Sequence, residues 1–350
     1  MARAGERVSD TGGATIVTDE EKHPALWGGT WTRKASIPVA ISEVGVGQVD
    51  GKIYVVGGTE QRGEAPPTGA SALNMMYDPA ADRWEERAPV PQALSHAGVT
   101  ELGGKLYVIG GLTGNVHIGP QNLAIVYDPK VDRWHALAPF SSPRGSLGVA
   151  AFGGKIHIFG GRNSERVVKV SLPDAPDMLA GIGTVTTHEI YDPSRDEWSQ
   201  SEPLPGPPRD HMGIAVLDGK IHVFGGRIND FSDMLARHDV YDPQAGTWTS
   251  AAPLPRPRSA GAYTVLDGLI IYAGGECKPG GRPFTANAFE DVTAYDPKMD
   301  AWASLSPLPQ GRHAFGAATV AGVAYFAGGA LVCGGGASTD MLALTIQYQQ

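Results

Sequence analysis

Apolar residues in this chain come in short bursts between charges and glycines. GKIYVVGG, Gly51 to Gly58, sets the pattern, and it returns as GKLYVIGG ending at Gly111, GKIHIFGG at Gly161, GKIHVFGG at Gly226, GLIIYAGG at Gly275 and GVAYFAGG at Gly329. Each burst is an unbroken run of β-branched, aromatic and aliphatic residues, which predicts a buried strand. The glycine pair after it lets the backbone turn or approach another segment closely. Five of the six bursts are followed by Tyr-Asp-Pro and, five residues after the Pro, by a Trp: Trp84, Trp134, Trp198, Trp248 and Trp302. Asp-Pro marks a turn after one further strand, and the Trp opens another. The stretch ahead of each burst, as in GIAVLDGK from Gly213 to Lys220, supplies the fourth strand of the unit. A period near 50 residues makes each unit an element that cannot bury its own apolar faces and must stack on copies of itself. Six units of four antiparallel strands predict an all-β, six-bladed β-propeller.

Glycine pair, Tyr-Asp-Pro and Trp, in this order and at this spacing, resemble the kelch repeat from Trp31 to the C-terminus. The resemblance implies a kelch propeller, a family that includes sugar-active enzymes as well as adaptors that only bind proteins, so the fold leaves function open. Trp31 keeps the spacing of the Trp series, 53 residues before Trp84, although no glycine pair or Tyr-Asp-Pro precedes it. The last unit runs out near Thr345 to Tyr348 without a Trp of its own. The strand at Trp31 is therefore expected to complete the sixth blade and close the ring, removing two open sheet edges. One domain over residues 27–350 follows, behind a leader, residues 1–26, expected to be disordered. Blade three carries 29 residues between Gly161 and Tyr191 where blade four has 14 between Gly226 and Tyr241. Such an insertion maps to one face of the ring, as a lid or as a surface elaboration.

Charge and cysteine content narrow the partners more than the fold. The formal net charge is −9 with no basic tract, which argues against nucleic acid. The N-terminal residues lack the apolar core of a secretory signal, and no later apolar run is long enough to span a bilayer. No membrane partner is expected, and a cytoplasmic location with reduced thiols is the expectation. The two cysteines, Cys277 and Cys333, are too few for a disulfide framework or a Cys-rich zinc site. Cys277 is read as a partly buried, inert thiol.

In a four-stranded meander, residues just before the first strand and just after the glycine pair crowd one mouth of the central channel. Counting back ten residues from the glycine that opens each burst gives Ile41, Leu94, Arg144, Arg209, Arg258 and Arg312. Directly after the glycine pairs stand Thr59, Leu112, Arg162, Arg227, Glu276 and Ala330. Six arginines are thus expected around one mouth. Guanidinium forks bind carboxylate or phosphate at two points, so an anionic small molecule is the expected ligand. Arginines that merely brace loops and cap carbonyls are the plainer alternative. The position also resembles that used by kelch adaptor domains to grip acidic peptides, which keeps an acidic protein segment open as partner. His96, His211 and His313 stand at the starts of first strands in blades two, four and six and are candidate acid/base partners. His157 and His222 replace the Tyr of the burst and are expected to be buried.

GGECKPGGR, Gly274 to Arg282, resembles a segment of bacterial N-acetylneuraminate epimerases, kelch propellers that interconvert sialic acid anomers. The resemblance implies a catalytic pair in which Glu276 moves a proton while Arg282 holds a carboxylate or oxyanion. A Glu276 that only neutralises neighbouring arginines is the alternative. Those epimerases are exported with a signal peptide, which this chain is not expected to carry, and the match does not extend beyond the segment. No histidine pair has short metal-ligand spacing, and the Glu-x3-Asp-x3-His motif of the iron-dependent plant specifier proteins is missing. The Tyr, Cys and His ligand set of a galactose-oxidase-type copper enzyme has no counterpart either, so neither metal nor cofactor is expected. No Gly-x-Ser-x-Gly elbow points to a hydrolase. The leading reading is a cofactor-independent isomerase, epimerase, cyclase or lyase that works by acid/base catalysis on an anionic small molecule. The second is a binding module for an acidic protein segment.

Overall fold

The computed structural model describes residues 28–61, 69–114, 117–170, 178–277 and 285–347. The leader expected over residues 1–26 lies outside them, as does Arg282. Six four-stranded antiparallel sheets form the blades. Their inner strands, Gly45–Val49, Gly98–Leu102, Gly148–Phe152, Gly213–Leu217, Ala262–Leu266 and Gly316–Val320, touch one another in that order, and the last touches the first. The expected six-bladed propeller is thereby formed. Among the described residues the only helix is a three-residue 3-10 turn, Phe231–Asp233, and no helix is long and apolar enough to cross a membrane.

Each burst forms the second strand of its blade and is buried on both faces, which is why it reads as an unbroken apolar run. Ile156, Ile158 and Phe159 have no exposed surface. Cores lie between blades rather than within them: Tyr107, Ile109 and Ala124 of blade two pack with Leu147, Val149 and Ile158 of blade three. A single unit would leave these faces in water, so the ring is the folding unit.

Three repeated interactions join neighbouring blades. In the first, the second glycine of each pair donates its N–H to a carbonyl of the next blade, as Gly161 does to Arg209 and Gly226 to Arg258, both at 3.0 Å. A Cβ on the first glycine of those pairs would stand 2.5 Å and 2.6 Å from the same carbonyl oxygens, so only glycine permits this approach. In the second, found in blades one, two, three and five, the Tyr hydroxyl donates to an Asp five residues on, 2.5 Å from Tyr77 to Asp82, and that carboxylate also accepts the N–H of Ala35 at 2.8 Å. In the third, each Trp donates its indole N–H to the carbonyl four residues past the previous Trp. Trp84 reaches Ala35, Trp134 reaches Ala88, Trp198 reaches Ala138, Trp248 reaches Glu202 and Trp302 reaches Ala252, at 2.7 to 3.2 Å.

Trp31 completes this series by donating to Ser306 at 3.1 Å. Its strand, Gly28–Arg33, pairs antiparallel with Met341–Gln347, Trp31 facing Leu344, and so forms the outer strand of blade six.

His157 and His222 are buried, and each pairs with a second histidine in its own blade: His157 Nδ1 with His188 Nε2 at 3.0 Å, and His222 Nδ1 with His238 Nε2 at 2.9 Å. Burial pushes His157 down to about 3 and the other three to about 4, so all four are neutral at pH 7. The thiol expectation is corrected: Cys277 and Cys333 are joined by a disulfide, with Cα atoms 4.7 Å apart, which ties the segment after the glycine pair of blade five to that of blade six. A separation of 56 residues hides a pairing that the ring makes local. The insertion in blade three forms a two-stranded hairpin, Arg162–Val170 with Met178–Thr184.

Removing residues 1–34 is expected to open blade six and lower the melting temperature by roughly 10 °C or more. An unchanged melt in differential scanning calorimetry would show that the ring does not depend on this strand.

Candidate functional site

Immediately before its inner strand, each blade places one residue in the left-handed backbone region: Glu43, His96, Ser146, His211, Ala260 and Ala314, with φ between 52° and 57°. L side chains adopt this region reluctantly. Here a closed circuit of hydrogen bonds imposes it. The N–H of each of these residues donates to the carbonyl of its counterpart in the preceding blade, Glu43 to Ala314 at 2.7 Å, His96 to Glu43 at 3.0 Å, and so round to Ala314 and Ala260 at 2.8 Å. All six line the mouth of a cavity of about 140 Å³ in the channel. Blades one to four put polar side chains there, while blades five and six put methyl groups.

A second layer surrounds the polar side. Asp210 Oδ1 meets His211 Nδ1 at 2.5 Å, and its Oδ2 accepts from Arg162 Nε at 2.8 Å. With its Nδ1–H given to Asp210, His211 turns Nε2 to the cavity, 3.2 Å from Ser146 Oγ and 3.3 Å from Arg227 Nη2. Arg227 also pairs with the carboxylate of Glu276. His117 enters from the loop after the second strand of blade two, its Nδ1 accepting from Arg162 Nη1 at 3.0 Å. His96 Nε2 lies 3.0 Å from Glu43 Oε2. The side chains of His96, Arg162, Asp210, His211, Arg227 and Glu276 are each more than nine-tenths buried.

Burial, then the charges of Arg227 and His96, holds His211 well below the ordinary histidine value. Burial and Arg162 do the same to His117. Both rings are therefore neutral; the lone pair of His211 is on Nε2, toward the cavity, while that of His117 accepts from Arg162. Burial acts to raise the pKa of Glu43, but His96, in direct contact with it, holds its carboxyl well below the usual carboxylate range.

Of the six arginines expected at the mouth, the structure brings only Arg162 and Arg227 to this cluster, and four are corrected. Arg144 pairs with Glu189 at 2.6 Å, and Arg209 pairs with Asp239. Arg258 donates to Thr293 Oγ1 at 2.7 Å and to the carbonyls of Gly274 and Asp291, and Arg312 binds Asp340 at 2.8 Å. All four are fully buried braces inside blades three to six, and none lines the cavity. A buried guanidinium without a partner is too costly, so each has been given one. His313 stands one residue out of register with the ring and donates its Nε2–H to the Val332 carbonyl at 2.9 Å, which turns it away from the cavity. Glu276 lies in the cluster, its N–H on the Ser259 carbonyl at 2.9 Å, and the disulfide begins at the next residue. Glu43, His117, Ser146 and Asp210 were not singled out in the sequence. Counting back eight residues from each opening glycine, instead of ten, picks out the ring and with it Glu43 and Ser146.

The family model described as the KLHDC2/KLHL20/DRC7 Kelch-repeats domain matches residues 99–329. The chain is 27% identical over 311 residues to Kelch-like protein terF of Aspergillus terreus, covering 87% of this chain and 53% of that protein. It is 31% identical over 201 residues to human Kelch-like protein 35, covering 57% of this chain and 29% of that one. It thus spans about half, or less, of the length of these relatives. The solved structure titled "Structure of YjhT" superposes with a TM-score of 0.68 at 17% identity, over 89% of this chain and 99% of that one, which is a likeness of fold alone.

If the four buried arginines are braces, Arg144→Leu strands Glu189 and costs about 3–5 kcal/mol in urea unfolding. The double variant Arg144→Leu/Glu189→Ile imitates Leu94 and Ile125, which pack together in blade two. It is expected to recover most of that loss. Equal stability of the wild type and the single variant would contradict a bracing role.

Proposed function

This chain belongs to the kelch-repeat propeller family, and on that premise we propose that it is an enzyme that moves a proton on a small polar molecule held at the histidine side of its channel mouth. The supporting observation is that Glu43, His96, Ser146 and His211, from four blades, line one small cavity, with the buried Arg227 against His211 and Glu276 against Arg227. Structural ion pairs need no cavity. A proton-transfer site needs buried titratable groups beside a space for the reacting atom.

In this reading Glu276 takes or gives the proton. Arg227 lies against Glu276 and a few ångströms from the ring nitrogen of His211. From there it can stabilise a carboxylate or the oxyanion that develops as a neighbouring carbon loses its proton. Low dielectric strengthens both interactions. The reaction class is isomerisation, epimerisation, cyclisation or elimination, and an anionic substrate is supported by Arg227 rather than by a ring of six arginines. Recognition of an acidic protein segment, the second possibility, loses four of its arginines to the blade interiors.

A thermal-shift panel of small carboxylic acids, sugar acids including sialic acid, and acidic peptides tests this on the wild type, Arg227→Met and Glu276→Gln. A small acid at 100 times its dissociation constant is expected to stabilise the wild type by about 2.7 kcal/mol. Arg227→Met should lose the shift, and Glu276→Gln should keep it but lose turnover. Stabilisation by acidic peptides alone would overturn the enzyme reading.

A further inference from the structure

At the same channel mouth, three imidazoles from two blades form a tripod that the proton-transfer reading does not explain. The ring centroids of His96, His117 and His211 stand 5.0, 5.2 and 5.4 Å apart, with the planes crossing at 67° to 90°. One ligand nitrogen from each lies within 4.8 Å of the others. For an ion held by three imidazoles at about 2.1 Å, each ring centroid lies about 3.2 Å from the ion, and a tetrahedral arrangement sets the centroids about 5.2 Å apart. The observed triangle has that size.

Further features fit a cation. His96 Nε2 is buried and faces the Glu43 carboxylate, with Oε2 3.0 Å away, so an anionic oxygen stands beside one ligand nitrogen. Asp210 on Nδ1 of His211 orients that ring and raises its basicity, the role an outer carboxylate plays around metal-bound histidine. Arg227 Nη2 already occupies the approach, 3.3 Å from His211 Nε2 and 3.5 Å from His117 Nε2, so a guanidinium stands where a cation is wanted. Glu276 and Asp210 offer it a place to withdraw. Arg162 donates to Nδ1 of His117, so ligation through Nε2 expels a proton, and the guanidinium offsets the charge left on the ring.

We propose that His96, His117 and His211 bind one divalent transition-metal ion of the zinc or cobalt type, beside Glu43 and with an open position toward the cavity. Three histidines with a free site are the arrangement of catalytic rather than structural metals. The inference deepens the proposed site by giving the bound molecule a Lewis acid opposite Arg227.

The full chain, without a histidine tag, is stripped with a chelator, loaded with Co²⁺ and dialysed. One equivalent of cobalt with visible d–d absorption is expected, lost in His96→Gln, His117→Gln and His211→Gln and kept in His135→Ala, a substitution at an exposed histidine. Circular dichroism melts check each fold. X-ray absorption of the Zn²⁺-loaded wild type counts its imidazole ligands without any variant. Three support the tripod. No retained metal, fewer than three imidazoles, or well-folded variants that hold as much cobalt as the wild type overturns it. Because the ion is measured without substrate, its absence leaves the Glu276 reading standing, and failure of the ligand panel leaves the metal result standing.

Discussion

Six backbone hydrogen bonds, one per blade and each pointing to the preceding blade, hold the centre of this molecule together. They close on themselves, so every residue in the circuit is both donor and acceptor, and none can relax without breaking two bonds. That closure sustains a left-handed conformation at six non-glycine residues, each costing roughly 1 kcal/mol or more on its own. Outside the circuit, the glycine pairs link the blades a second time and the tryptophans a third. Trp31 makes the outermost set circular. Backbone strain of this kind is tolerated where the surroundings over-determine it, and here it directs side chains to the channel mouth.

The frame repeats but its chemistry does not. Ala260 and Ala314 leave the mouth apolar on blades five and six, while Glu43, His96, Ser146 and His211 make it polar on blades one to four. Arg162 and Arg227 enter from the segments after the glycine pairs, and Asp210 accepts from one and faces the other, so the cations are held by carboxylates rather than left free. Neutral, desolvated histidines beside paired charges can pass protons or ligate an ion. The hairpin of blade three supports this side too: Gly181 accepts from Arg162 at 3.2 Å, and Ser164 donates to the His117 carbonyl.

Blade number, strand content and ring closure could be read from the sequence because they rest on local rules: apolar runs, glycine pairs and the spacing of Trp. The arginines misled because position in a repeat does not say which way a side chain turns. Glu189 and Asp239, each two residues before the Tyr of Tyr-Asp-Pro, were the signal for bracing, since blade two, with Leu94 in place of the arginine, carries Ile125 there. His117 was hidden in a loop outside the repeat, and the disulfide by 56 residues of sequence. Both become visible only once the ring brings distant loops to one mouth.

Amide hydrogen exchange by NMR at Glu43, His96, Ser146, His211, Ala260 and Ala314 tests the circuit directly. If it is a closed unit, the six amides exchange together, at the rate of the central strands, through opening of the whole ring. Independent, faster exchange at any of them would mean that the circuit is open in solution and that the mouth is not held by it.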